Sequence, residues 1–121
     1  MRVRLEEFGY ELSLAHMRLE HYPVEKLKES IMSILKVHRE LKDYRVFFFG
    51  SRIDGSGTDR SDIDIGVEGP RHIPLKIFRE IKEELDKIPT LYQIDIVDFH
   101  DVSSDFREIA LKTIEPIGMI E

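Results

Sequence analysis

Two aspartates separated by a single isoleucine, at the head of an apolar strand, constrain this chain more than any other feature in it. The segment Ser61-Asp62-Ile63-Asp64-Ile65-Gly66-Val67 alternates in character. Side chains on a strand alternate faces, so Asp62 and Asp64 project from the same side, roughly 7 Å apart along the backbone. Ile63, Ile65 and Val67 occupy the other side, which a core must cover. Two carboxylates on one face repel each other and lose hydration when covered. They suit a pocket that holds a cation, or full exposure to water.

The complementary half lies just upstream. The apolar run Val46-Phe47-Phe48-Phe49 ends in Gly50-Ser51-Arg52, and the loop then leads to the aspartates. Gly50 permits backbone angles, or a close approach, that other residues resist. Ser51 is expected to open a short helix as its cap, leaving unpaired N–H groups and a hydroxyl directed outward. Such a turn suits phosphate, and Arg52 adds positive charge beside it. Phosphate donors next to a hard-metal site are the equipment for a magnesium-bound nucleoside triphosphate.

The run Gly50-Ser51-Arg52-x-x-Gly55, ending in Ser61-Asp62-Ile63-Asp64-Ile65, resembles the signature of the polymerase beta-like nucleotidyltransferase superfamily. It is most similar to the minimal nucleotidyltransferases, antitoxin partners of HEPN-domain toxins. The resemblance covers residues 24 to 100. It implies the nucleotidyltransferase fold, with Gly50, Ser51, Arg52 and Ser61 on the nucleotide and Asp62 and Asp64 as metal ligands and catalytic residues.

Composition narrows the reading. At 121 residues the chain is expected to form one domain: an extension over 1–22, a catalytic core over about 24–100, and a C-terminal helix and tail over 101–121. No apolar run is long enough to span a bilayer, and the start lacks the apolar core of a signal peptide. There are no cysteines, so neither a disulfide framework nor a thiolate metal site exists. These features lead us to expect a cytoplasmic protein. A net charge of −6 argues against direct nucleic-acid binding.

In chain order, residues 1–22 read as a helix through Leu5, Phe8, Leu12, Ala15 and Leu19, with strand alternation as the competing pattern. Val24, Leu27, Ile31, Ile34, Leu35, His38 and Leu41 recur at helical spacing and predict an amphipathic helix over 24–42. Strands are expected over 45–49 and 62–68, a helix after Pro74, and a strand over 91–99. Asp105-x-x-Glu108 resembles a capping box for a last helix with Phe106, Ile109 and Ala110 inward. The tail 114–121, with Pro116 and Gly118, is expected to pack on the sheet or dock on another chain. The order makes an α/β or α+β sandwich, a small mixed β-sheet flanked by α-helices.

Transfer to a hydroxyl needs a base. Asp95 and Asp98 are the candidates. Asp95 sits inside an apolar strand, where a charge is costly unless paired, whereas Asp98 lies near the strand end, where solvation is the default. In the family the third aspartate is the first in such a strand, which selects Asp95. Asp62, Asp64 and Asp95 would then hold two Mg²⁺ ions, with Mn²⁺ as an alternative, and Arg52 or Arg60 would offset leaving-group charge. His16, His21, His38, His72 and His100 show no metal-ligand spacing in the sequence.

The resemblance implies movement of AMP from ATP onto a hydroxyl, a tyrosine of a HEPN toxin. The short stretch after the third strand leads us to expect an acceptor held by another chain, or a small one. Two other readings stay open: an antitoxin that acts by binding alone, and transfer to a small molecule, for instance within a homodimer.

Overall fold

The computed structural model describes residues 13, 14, 17, 19, 22–58 and 61–121. The elements are β1 (Ser13–Leu14), α1 (Val24–Lys36), a 3-10 turn (Arg39–Leu41), β2 (Arg45–Phe49), α2 (Ser51–Asp54), β3 (Ile63–Glu68), α3 (Leu75–Asp86), β4 (Ile94–Asp98), α4 (Ser104–Ala110) and β5 (Thr113–Met119). They build one mixed sheet in the order β1-β5-β2-β3-β4. β2 runs antiparallel to both β3 and β5, while β3 and β4 are parallel, as are β1 and β5. A parallel pair needs a crossover, and α3 supplies it between β3 and β4.

The main core lies on one face of the sheet. Leu27, Ile31 and Leu35 of α1 and Ile81 and Leu85 of α3 meet Val46, Phe48, Ile63, Ile65, Val67, Ile94 and Ile96 there. Phe47 and Phe49 take the opposite face, with Phe99, Leu111 and Ile114. The Phe47 and Phe99 rings meet edge-on, 5.0 Å between centroids. They cross over Gly66, where an added Cβ would lie 2.4 Å from the Phe47 ring and 2.8 Å from Phe99.

Several expectations change. The first long helix stops at Lys36, because His38 is extended (φ −101°, ψ 109°) and starts the 3-10 turn that carries Leu41 into the core. Most of the helix expected over 1–22 lies outside the described residues. Within it, Ser13 and Leu14 form a strand beside Thr113 and Ile114. The third strand starts at Ile94, since Leu91 is almost wholly exposed and Thr90 Oγ1 accepts from Tyr92 N at 3.2 Å.

The tail forms β5, inside the sheet between β1 and β2. The pairing slips by one residue there: Val46 faces Gly118, but Phe47 faces Pro116. A bulge of this kind accommodates a proline that has no N–H to donate. The last helix is capped by Ser103 rather than Asp105, with Phe106 N donating to Ser103 Oγ at 3.1 Å. Ala110 packs on the Phe47 cluster and the Phe106 ring, although partly exposed, meets those of Phe49 and Phe99 at 6.1 and 5.9 Å, while Ile109 is exposed. Arg107 adds a second tie, its Nε donating to the buried Glu68 at 2.6 Å.

Candidate active site

A glycine follows β2 for two separate reasons. Gly50 sits at φ 86°, ψ −164°, a region that side chains with a Cβ avoid. A Cβ there would also lie 2.3 Å from Asp64 Oδ2. The close approach follows from register, because Asp64 on β3 faces Phe49, the residue before Gly50. Ser51 is the first residue of α2, and Gly50 occupies the cap position expected for Ser51. The Gly50 carbonyl takes the N–H groups of Ile53 and Asp54, each at 3.0 Å.

The parallel pairing of β3 with β4 sets Asp95 directly beside Asp64. Asp64 and Asp95 are partly buried, and Asp62, one residue ahead of the strand, is exposed. Burial, then the Asp95 charge, then the Asp62 charge push the Asp64 carboxyl up to about 6. The sheet therefore brings the three sequence-selected carboxylates into one electrostatic field.

The loop between α2 and β3 folds the two serines together. Gly57 N donates to the Ser51 carbonyl at 2.9 Å. A Cβ on Gly57 would lie 2.6 Å from Ser61 Oγ and 2.8 Å from Ser51 Oγ. Ser61 Oγ also accepts from Thr58 N at 2.8 Å. Arg52 is tied into this loop: its Nε donates to the Ser61 carbonyl at 2.6 Å, and its guanidinium lies 4.6 Å from the centre of the Tyr92 ring. Tyr92, just ahead of β4, was missed by sequence reasoning. Nothing in its spacing marked it as the surface on which Arg52 stacks. Arg60 lies outside the described residues.

Asp98 differs from the expectation of a solvated strand end. It is buried, and its two oxygens accept from Ile73 N at 2.7 Å and His100 N at 3.0 Å. It faces away from Asp95, toward the α3 side of the sheet, which leaves Asp95 as the partner of Asp64.

The donor set is made of hard oxygens, and Asp64 carries a charge that its neighbours penalise. A divalent, oxygen-seeking cation fits both facts. Asp62, Asp64 and Asp95 are the residues that would hold it.

A mixed sheet with a Gly-Ser corner opposite paired aspartates defines a nucleotidyl-transfer domain. The family model described as polymerase beta, nucleotidyltransferase matches residues 29–117. The chain belongs to that family, and membership implies a nucleotide substrate and a divalent metal. The probable protein adenylyltransferase MntA of Haemophilus influenzae is 28% identical over 88 residues, 71% of this chain and 77% of that protein. The fold also matches a chain in the solved structure of a tri-AMPylated Shewanella oneidensis HEPN toxin in complex with MNT antitoxin. The TM-score is 0.53 and the identity 21%, with 78% of this chain and 71% of that chain covered. Among the described residues, no helix is long and apolar enough to cross a membrane.

Proposed function

We propose that this chain is a protein adenylyltransferase that moves AMP from ATP onto a hydroxyl of a HEPN-type toxin, a tyrosine by resemblance, and so acts as its antitoxin. The observation that carries the reading is the register pairing of Asp64 with Asp95 beside Gly50. The MntA relative and the AMPylated toxin complex give the direction of transfer and the kind of acceptor. We take residues 1–121 as one working domain, in the cytoplasm.

The acceptor oxygen would attack the α-phosphorus of ATP. The bond from that phosphorus to the α–β bridging oxygen breaks, pyrophosphate leaves, and the hydroxyl proton passes to a base. Mg²⁺, one ion or two, would lower the charge on the phosphates and on the attacking oxygen. Asp62, Asp64 and Asp95 would supply the carboxylates for it, and Asp95, beside Asp64, would take the proton. The Ser51 and Ser61 hydroxyls, brought together over Gly57, supply donors to phosphate oxygens. Gly50 lets the chain pass close to Asp64 without a side chain in the way. Arg52 supports this corner by holding the Ser61 carbonyl.

The test is purified protein with Mg²⁺, ATP and a HEPN-domain protein, read by intact mass. A gain of AMP on the partner, lost in Asp62→Asn with the fold intact, is the expected result. Inhibition of the toxin with no mass gain would replace the enzyme with an antitoxin that acts by occlusion.

A further inference from the structure

A second group of ligating side chains lies away from the three aspartates. His72, in the β3–α3 connection, meets Asp98 at the end of β4 and Asp101 just beyond it. One ligand atom from each lies within 4.8 Å of the others, the one such group among the described residues. The His72 and Asp101 side chains approach to 3.8 Å. The His100 ring is 6.1 Å from that of His72, centre to centre, which places a second imidazole at the same opening. The same three residues line a cavity of about 450 Å³.

The group is held in place from behind. Asp98 is buried, and the two backbone N–H groups it accepts fix its carboxylate. Each oxygen keeps a further lone pair. The loop that carries His72 is clamped as well. The buried Tyr44 hydroxyl donates to the Arg71 carbonyl, and Gly69 lies so close to the Tyr44 ring that a Cβ would come within 2.4 Å of it. A fixed carboxylate, an imidazole on a clamped loop, and an exposed carboxylate and imidazole free to close over them make a preorganised donor set.

We propose that His72, Asp98 and Asp101, with His100 in reach as a fourth donor, bind one divalent transition cation of the zinc type. Mixed imidazole and carboxylate donors favour such an ion over magnesium, which prefers oxygen alone. The ion would staple the β3–α3 connection to the end of β4. It would lie away from Asp95, because Asp98 faces the opposite side of that strand, so the site is distinct from the one that handles nucleotide.

The experiment is a titration of the full chain with cobalt(II), followed by visible absorption, and with zinc chloride by calorimetry. With magnesium in large excess to occupy the three aspartates, one equivalent per chain is expected, with thermal stability rising as the ion is added. Magnesium in large excess should not displace it. His72→Ala and Asp101→Asn, both at exposed positions, should each weaken binding at least tenfold, while Asp64→Asn retains it. Absence of saturable binding would overturn the proposal. So would an ion lost with Asp64→Asn but kept with His72→Ala, since it would then belong to the aspartate site.

Discussion

Replacing Asp64 by asparagine should make the metal-free protein more stable while it stops transfer. The Asp64 carboxyl is raised from an ordinary 3.8 to about 6 by burial, Asp95 and Asp62, in that order. A carboxyl whose folded value is raised contributes stability below its unfolded value, and that contribution is lost as pH climbs through the folded one. Stability of the unsubstituted protein should therefore fall between about pH 4 and pH 7. At ~1.4 kcal/mol per pH unit the full penalty is about 3 kcal/mol. Asp64 is only partly buried, so solvent screening reduces this to ~1 kcal/mol at neutral pH. For a domain of this size that is a rise in Tm of roughly 3–6 °C. The assay is thermal unfolding of both proteins in EDTA at pH 7.5 and at pH 4. The asparagine variant should melt higher at pH 7.5, and the gap should close at pH 4. Added Mg²⁺ should raise the Tm of the parent protein and leave the variant unmoved. Equal or lower stability of Asp64→Asn in EDTA at pH 7.5 would refute the claim that the three charges are crowded.

Gly50→Ala places a Cβ 2.3 Å from Asp64 Oδ2 at φ 86°. Backbone strain alone costs ~1–3 kcal/mol, and displacement of the carboxylate should remove transfer activity in folded protein, read by circular dichroism and intact mass together. Arg52→Lys keeps the charge but cannot hold the Ser61 carbonyl and stack on Tyr92 at once. A loss of ~1–2 kcal/mol is expected in urea unfolding, with a raised KM for ATP; an unchanged midpoint would show that the strut contributes nothing. Gly66→Ala drives a methyl into the Phe47 and Phe99 rings. Overpacking of this kind costs ~1–3 kcal/mol, visible as a lower Tm with no change in ATP affinity.

The elements legible in the sequence were those whose signal is local. β2 and β3 announce themselves through runs of buried apolar residues, and α1 and α3 through stripes such as Leu27-Ile31-Leu35 and Ile81-Leu85. The last helix was found and its inward side partly so: Phe106 meets Phe49 and Phe99 and Ala110 packs on the same cluster, whereas Ile109 is exposed. Its cap is Ser103, and the Arg107–Glu68 pair that also ties it joins residues 39 apart in the chain. Asp98 was misjudged for a related reason: one of the N–H groups that hold it belongs to Ile73, in a different connection.

β5 is the sharpest case of a long-range effect overriding a local rule. Pro116 and Gly118 argue against a strand when read alone. The strand forms because β2 and β1 each need a partner on that side, and the slip opposite Phe47 gives the proline a place where no N–H is required. The site is the opposite case. Paired carboxylates at a spacing of two, and a Gly-Ser pair just after an apolar strand, are each requirements on neighbouring residues, so they are written in the order of the chain. What the sequence could not express is the distance between the two halves. The register between β2 and β3 sets the Gly50–Asp64 approach, and the register between β3 and β4 brings Asp95 alongside. A slip of one residue in either pairing would turn a carboxylate to the core face, so the alternation of Ile63, Ile65, Ile94 and Ile96 fixes the site as firmly as the aspartates themselves.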